Sequence, residues 1–421
     1  MEEKSLLKRD NTRQILLIIA CWLVYTASYL GKYCYSCNLN GIMEYYKVSH
    51  ADAGLVSTMF FFAYGAGQII NGILCRKYNA RFIITFSLLV SAAINLAVFF
   101  LPSFFTLKYL WLLNGFSLSF LWAVLSTVLS RCLSDENLKK AVVIMSVSTP
   151  AGTFLAYLLG ALFTKVNFFN LSFLTGSIAL FAIGALWFFS YGKLTSGKTY
   201  GKSGEIADKN GETATAEVLH TDENYSAEKR NAMITLVFLG VFAVINNLVK
   251  DGLSTWMPSV LKEKYELSES GSIALSLALP FLFFGAFVAT RVNDKTKNFV
   301  FTSVIFFAVS ALLMPIIIWG YLGGFVLPLC VFALIALLMT AVNSVVTTMA
   351  PMYMRNFFFS GTLAGALNGC CYLGSTISSY GLGKIADDLS WNAVFIIIFA
   401  FCIAAVVLGG AYFVRKKAKN S

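Results

Sequence analysis

Residues 14–39 read QILLIIACWLVYTASYLGKYCYSCNL, and residues 231–258 read NAMITLVFLGVFAVINNLVKDGLSTWMP. Each stretch is long and apolar enough to cross the hydrocarbon core of a bilayer, which takes roughly 20 mostly apolar residues in a helix. Each also holds one lysine deep inside the apolar run, Lys32 in the first and Lys250 in the second. The two stretches therefore predict membrane-crossing helices that carry a charge at a similar depth.

The rest of the chain continues this pattern. Hydrophobic residues make up 58% of the 421 residues, charged residues only 13%, and the mean hydropathy is +0.72. A soluble domain has roughly 25% charged residues, so most of this apolar surface must face lipid. We predict an all-α membrane protein with twelve transmembrane helices in two pseudo-symmetric six-helix bundles. The other predicted spans are 52–74, 82–101, 107–130, 141–163, 171–191, 270–290, 299–319, 323–349, 361–383 and 391–414.

The predicted spans fall into two groups of six. The N-terminal bundle covers 1–191 and the C-terminal bundle 231–421, and the hydrophilic segment 192–230 between them is predicted to be a flexible cytoplasmic linker. The two groups repeat at a spacing of about 219 residues, which places Lys47 opposite Glu266 and Asn79 opposite Asn298.

Orientation follows from the basic residues, because loops rich in Lys and Arg stay on the cytoplasmic side. With both termini inside, 24 basic residues lie on the cytoplasmic side and 6 outside. We therefore expect a multi-pass protein of the plasma membrane with cytoplasmic termini, and a monomer. The net charge of +11 is explained by this topology, so no nucleic-acid partner is expected.

The two lysines inside the membrane are the strongest functional signal. A lysine at mid-membrane costs about 2.5–3.5 kcal/mol on insertion scales. Lys32 lies twelve residues before Glu44, and Lys250 lies twelve before Lys262, which is too far for either side chain to snorkel to the interface. For Lys250 an ion pair with Asp251 is the structural alternative. Polar neighbours at helical spacing favour a wet cavity; they are Tyr25, Tyr29, Asn246 and Asn247.

The sign of the buried charge predicts the class of solute. Of 21 acidic residues, only Asp251 is expected inside the bilayer, because Glu44 and Asp52 belong to outer helix ends. Asp251 serves either as a coupling group or as the partner of Lys250. Two buried cations favour a small anionic solute. The pair Cys34 and Cys37 lacks a histidine or a redox fold nearby, so no metal or cofactor is expected and no enzyme is predicted.

At these residues the chain resembles the organophosphate:phosphate antiporters of the major facilitator class, which include glycerol-3-phosphate and hexose-phosphate transporters. The matching segments are Tyr29-Leu-Gly-Lys32, Ala63-Tyr64-Gly65, Trp256-x-Pro258, Gly361-Thr-Leu-Ala-Gly365 and Tyr372-Leu-Gly374. In that family an arginine from each half grips the phosphate and tyrosines line the cavity. The resemblance thus implies a substrate site formed by Lys32, Lys250, Tyr25, Tyr29, Tyr64 and Tyr372.

The chain departs from the family at several of these positions. Lysines replace both arginines, which removes the planar fork that matches phosphate geometry. Gln68 stands where the family has a lysine in span 2, and Thr149 falls near the position of its span 5 histidine.

Three functions remain open from the sequence. The first is a secondary active carrier of a small organic anion, a phosphate ester or related acid, with anion exchange favoured. The second is a proton-coupled carrier or drug exporter of the same superfamily that uses Asp251. The third is a transporter-like membrane sensor that keeps the binding site.

Overall fold

The computed structural model describes residues 2–74, 79–196, 222–276, 284–319, 324–354 and 360–420. These residues form helices joined by short connections. The helices of the first half are α1 (Glu2–Cys37), α2 (Leu39–Tyr46), α3 (His50–Leu74), α4 (Ala80–Phe99), α5 (Phe104–Leu118), α6 (Leu121–Cys132), α7 (Asp135–Lys165) and α8 (Leu171–Thr195). Those of the second half are α9 (Asp222–Glu263), α10 (Glu269–Leu275), α11 (Gly285–Thr296), α12 (Phe299–Trp319), α13 (Val326–Ser344), α14 (Ala350–Tyr353), α15 (Ser360–Asp388) and α16 (Trp391–Asn420).

The prediction of an all-helical membrane protein is confirmed. Within the described residues, ten helical segments are long and apolar enough to cross a membrane. The predicted span 270–290 includes residues 277–283, which lie outside the described part of the chain. The predicted span 361–383 corresponds to α15, which is 29 residues long but rich in Gly, Ser and Thr. Helix α15 packs between α3 and α9, and Ser375, Ser378 and Ser379 are buried there.

Two predicted spans are interrupted. The span predicted at 107–130 divides into α5 and α6 around Ser119 and Phe120, and a π-helical turn at Val345–Met349 separates α13 from α14. The helices also extend beyond the predicted bundles, because α8 continues to Thr195 and α9 begins at Asp222. Residues 197–221 of the predicted linker lie outside the described residues.

The repeat is visible in the backbone. Lys47 and Glu266, which the spacing places opposite each other, both adopt a left-handed conformation with φ of 53° and 54°. Two residues later, the hydroxyl of Ser49 accepts a hydrogen bond from the backbone of Asp52, as Ser268 does from Gly271, both at 3.2 Å. A serine at this position satisfies one of the free N–H groups at the start of a helix. A serine at the same repeat position therefore caps both α3 and α10.

Helix packing repeats in the same way. In the first half α1 packs on α7, α3 on α5 and α4 on α8. In the second half α9 packs on α15, α11 on α13 and α12 on α16. The halves meet chiefly through α3 against α15 and through α7 against α10. The chain is thus two similar helical bundles with α1 and α9, the first helices of each, in contact near the centre.

Candidate functional site

Lys32 lies in the interior of α1 and is 7% exposed. Its ammonium is surrounded by aromatic rings, whose centroids are 5.0–5.6 Å from Nζ. We call these rings the Lys32 cage; they are Tyr29, Tyr33, Phe60, Phe61, Tyr64 and Tyr372. The negative face of an aromatic ring attracts a cation within about 6 Å, by about 2 kcal/mol or more where water is excluded.

No carboxylate of the described residues lies within 4 Å of the Lys32 ammonium. Ring faces stabilise the ammonium but carry no net charge, so they leave its positive charge uncompensated. An anion that reached the cage would therefore meet a full positive charge in surroundings of low polarity.

Lys250 has a different environment. Its ammonium lies 3.4 Å from a carboxylate oxygen of Asp251, and its side chain is 24% exposed, against 8% for Asp251. The predicted ion pair is thus present in the structure. Because the Lys250 side chain keeps some accessibility, it is not sealed in a dry pair.

The Asp251 carboxylate is also held from the side away from Lys250. Its second oxygen accepts hydrogen bonds from Ser375 at 2.5 Å and from Asn247 at 3.2 Å. Asn247 also donates to Ser375 at 3.2 Å, and Asn246 donates to Asn247 at 3.1 Å. Asn246 is itself fully buried, and its hydrogen bond helps to hold the side chain of Asn247 in place. We call these five side chains the Asp251 cluster; they are Asn246, Asn247, Lys250, Asp251 and Ser375.

The tyrosines implied by the resemblance lie beside Lys32. Tyr29, Tyr64 and Tyr372 belong to the cage, and the hydroxyl of Tyr64 interacts with Tyr25, Tyr372 and Gln68. The ring of Tyr25 contacts those of Tyr29 and Trp122 in tilted arrangements, with centroid distances of 5.2 and 5.0 Å. Gln68, which replaces the family's lysine, donates to the Ser119 carbonyl at 3.2 Å.

Several residues of the site were not predicted from the sequence. The cage also contains Tyr33, Phe60 and Phe61, and the carboxylate of Asp251 depends on Ser375. Phe60, Phe61 and Tyr64 recur at helical spacing on α3, a pattern that is equally typical of ordinary packing. Ser375 had no signal of its own, because a single serine in a Gly- and Ser-rich helix is common.

Glycines bring α3 and α15 close enough to build the cage. A Cβ on Gly65 would lie 2.7 Å from the Cβ of Tyr372, and one on Gly54 would lie 2.1 Å from the backbone oxygen of Ser379. On the other side of α15, a Cβ on Gly374 would lie 2.0 Å from the Val244 carbonyl of α9. Small residues permit such close contacts between membrane helices.

The halves are also joined at the end of the protein where α1, α9 and α15 terminate and α3 begins, which we call the far end. Here His50 lies between Asp387, at 2.6 Å, and Glu263, at 2.8 Å. Ser259 donates to Asn40 at 2.6 Å, and Tyr157 donates to the Ser254 carbonyl at 2.9 Å. These bonds close the far end above the two lysines.

The family model of the Major Facilitator Superfamily matches residues 21–379 of the chain. Sugar phosphate exchanger 3 of Xenopus laevis is 23% identical over 84% of this chain and 78% of that protein. A probable hexose phosphate transport protein of Chlamydia trachomatis is 21% identical over 85% of this chain and 82% of its own length. These matches confirm the predicted family and agree with a membrane protein that is not an enzyme.

The membrane sensor protein UhpC of Escherichia coli is 32% identical over 104 residues, which are 25% of this chain and 23% of the sensor. The match thus covers about a quarter of the sensor's length. Among solved structures, a bacterial homologue of the human lysosomal transporter Spinster, inward-facing and unoccupied, matches with a TM-score of 0.75. It is 12% identical and covers 96% of this chain and 98% of its own. A POT family transporter in complex with a thioalcohol-conjugated peptide matches with a TM-score of 0.76 at 11% identity, over 94% of this chain and 96% of its own.

Proposed function

Because the chain belongs to the Major Facilitator Superfamily, we propose that it carries a small organic anion across the plasma membrane by alternating access. The proposed substrate is a phosphate ester or a related acid, and the proposed mode is exchange of one anion for another. The observation that carries this proposal is Lys32, a buried ammonium with no carboxylate within 4 Å among the described residues. Such a charge is costly to bury and favours a ligand of opposite sign.

Exchange is favoured over proton coupling by the state of Asp251. This carboxylate is paired with Lys250 and accepts hydrogen bonds from Ser375 and Asn247. Both carboxylate oxygens are therefore already engaged by groups of the protein. An anion exchanger needs no proton-binding group, because the site returns to the first side with the second anion bound.

In this proposal the bundles 1–191 and 231–421 rock about the lysines, with 192–230 as the flexible connection. The bonds at the far end support a state that is open towards the opposite end, which carries the N-terminus. With both termini in the cytoplasm, that state would face inward. Trp122, whose ring contacts that of Tyr25 and which is 37% exposed, would then line the open side.

The test is counterflow of labelled hexose and glycerol phosphates into proteoliposomes loaded with inorganic phosphate. We expect uptake that depends on internal phosphate and is lost in Lys32→Gln, while the variant still inserts and folds. Lys108→Gln is the matched control, because Lys108 also lies over an aromatic ring, Phe104 at 4.7 Å, but on α5, away from the cage. Undiminished uptake by Lys32→Gln would return Lys32 to a structural role. Uptake driven by a pH gradient without internal phosphate would favour proton coupling.

A membrane sensor is the second candidate, favoured by the 32% identity with part of UhpC. A sensor and a carrier share the binding site but differ in turnover. Anion binding to the purified protein without any counterflow in proteoliposomes would support the sensor.

A further inference from the structure

We infer that Asp251 sets the charge of the substrate, so that the site binds an anion in its singly charged form and disfavours a doubly charged one. This inference rests on the proposed function, because it concerns the same anion site. It names the specificity-determining residue and the ionic form of the ligand.

The argument begins with the charges that the site contains. Lys32 and Lys250 contribute two positive charges, and Asp251 contributes one negative charge 3.4 Å from the Lys250 ammonium. All three are close enough to interact electrostatically with one another. The sum is a single positive charge, whereas two lysines without the aspartate would present two.

The aspartate cannot easily move aside for a ligand. One of its oxygens faces Lys250, and the other is fixed by Ser375 at 2.5 Å and Asn247 at 3.2 Å. Its side chain is only 8% exposed, so water cannot replace these partners. Lys250 therefore keeps its counter-charge when a ligand arrives, and Lys32 is the cation left for the ligand.

Among the described residues, the groups that face Asp251 supply no positive charge beyond the two lysines already counted. Lys32 and Tyr33 face it from α1, and Cys371 and Tyr372 face it from α15. Tyrosine and cysteine are neutral near pH 7. A second negative charge on the ligand would therefore be taken from water into a buried site without a cation to receive it, which is unfavourable.

The experiment uses two ligands of matched shape and different charge. A hexose 6-sulfate is a monoanion at all pH values used, whereas a hexose 6-phosphate loses its second proton at about pH 6. Binding of each to the purified full-length protein is measured by calorimetry between pH 5 and pH 8. We expect the sulfate to bind at least about tenfold more tightly than the phosphate at pH 8, and the two to converge at pH 5. Any pH effect that arises from the protein itself would change both ligands together.

Asp251→Asn then tests the assignment. The amide keeps the size of the carboxylate but removes its charge, so the site should accept the dianion and the sulfate-to-phosphate ratio at pH 8 should fall about tenfold or more. Asp388→Asn, on an exposed carboxylate that pairs with Lys384 at the end of α15, is the matched control and should leave the ratio unchanged.

Preference of the unmodified protein for the dianion, or an unchanged ratio in a folded Asp251→Asn, overturns the inference while anion binding remains. The pH series on the unmodified protein decides the question even if Asp251→Asn fails to fold. Binding of neither ligand at any pH refutes the proposed anion site itself, and this inference with it.

Discussion

His50 and Asp387, which are 337 positions apart in the chain, are joined twice at the far end of the protein. The ring Nδ1 of His50 lies 2.6 Å from the Asp387 carboxylate, and the backbone N–H of His50 donates to the same oxygen at 3.1 Å. The other carboxylate oxygen accepts the backbone N–H of Ala51 at 2.7 Å. Asp387 of the second half therefore serves as a helix cap for α3 of the first half, and the ring of His50 reaches on to Glu263.

This arrangement predicts that closure of the far end depends on pH. Carboxylates only accept hydrogen bonds, so His50 can donate to both Asp387 and Glu263 only when both ring nitrogens carry a proton. Burial alone would lower the pKa of His50, but hydrogen bonds and charge from Glu263 and Asp387 outweigh it and hold that pKa above its usual value. The contribution of His50 to closure is therefore complete below the usual range of histidine and is lost as the pH rises through the raised pKa.

At acidic pH, the effect of pH on closure has the opposite sign. Burial alone would raise the pKa of Asp387, but hydrogen bonds from the backbone of Ala51 and from His50 outweigh it and hold that pKa below its usual value. A carboxyl with a depressed pKa stabilises closure above the ordinary carboxyl range and loses this contribution as the pH falls through its lowered value. We therefore expect closure to be most stable at about pH 5–6, between the two titrations.

The measurement is the distance between spin labels at Lys47 and Leu389, on the two halves of the far end. The fraction of long distances should grow from pH 6 to pH 8 in the unmodified protein. In His50→Gln this growth should disappear. A pH response that persists in His50→Gln would assign the titration to another group.

A second prediction concerns Gly54, which allows α3 to reach α15 at the far end. In Gly54→Ala the new methyl group would collide with the Ser379 backbone, 2.1 Å away, and backbone cannot move aside as a flexible side chain can. We expect far-end closure to be destabilised by about 1–3 kcal/mol, with longer distances between the same labels. Gly240→Ala is the control, because its methyl group would meet only Cys370 Sγ at 3.7 Å, an ordinary contact. Unchanged distances in Gly54→Ala would show that the close approach of Gly54 to Ser379 is not required for closure.

The third prediction compares two replacements of Lys32. Arginine keeps the charge and adds a planar group that stacks on aromatic rings and grips phosphate with two parallel hydrogen bonds. Because the Lys32 cage consists of six rings, we expect Lys32→Arg to retain or improve transport of phosphate esters, whereas Lys32→Gln abolishes it. Counterflow at matched protein amounts measures both. Equal loss in the two variants would mean that the shape of the lysine, rather than its charge, is required.

The fourth prediction concerns the end opposite the far end. Asn79 and Asn298 occupy the same position in the two repeats; each caps the next helix, accepting from Arg81 at 3.1 Å and from Phe301 at 3.0 Å. In alternating access this end closes when the far end opens. Cysteines placed at both positions, in a background without the nine native cysteines, should therefore crosslink more in Gly54→Ala than without it. Equal crosslinking yields with and without Gly54→Ala would show that the two ends do not move together.

The sequence was sufficient to predict the helical membrane fold. Apolar length identified the spans, and repeat spacing paired Lys47 with Glu266, which share a left-handed backbone. Helix α15 could still be predicted as a span despite its polar residues, because a helix buried between two others need not be apolar on every side. Breaks such as the one at Ser119 were not predicted, because hydropathy averages over a turn or two and ignores local backbone geometry.

The site was predicted less completely, for a different reason. A lysine in a membrane is an exception and is noticed at once, but the rings around it are common in any apolar helix. Phe60 and Phe61 become part of a site only when α3 is placed opposite α1. Likewise, the adjacency of Lys250 and Asp251 in the sequence suggested a pair. The contribution of Ser375 could be recognised only once α15 was placed against α9.

The composition of the Lys32 cage also bears on how the chain is made. Five of its six rings, all except Tyr372, belong to α1 and α3, within the first 74 residues. Domains form in order as the ribosome delivers them, the N-terminal part first. The buried charge of Lys32 thus finds five of its six aromatic partners in its own helix and in the next membrane-crossing helix to emerge. Lys250 enters the membrane with Asp251 beside it. Biosynthesis of this protein does not have to leave a bare lysine in the bilayer while the second half is still being translated.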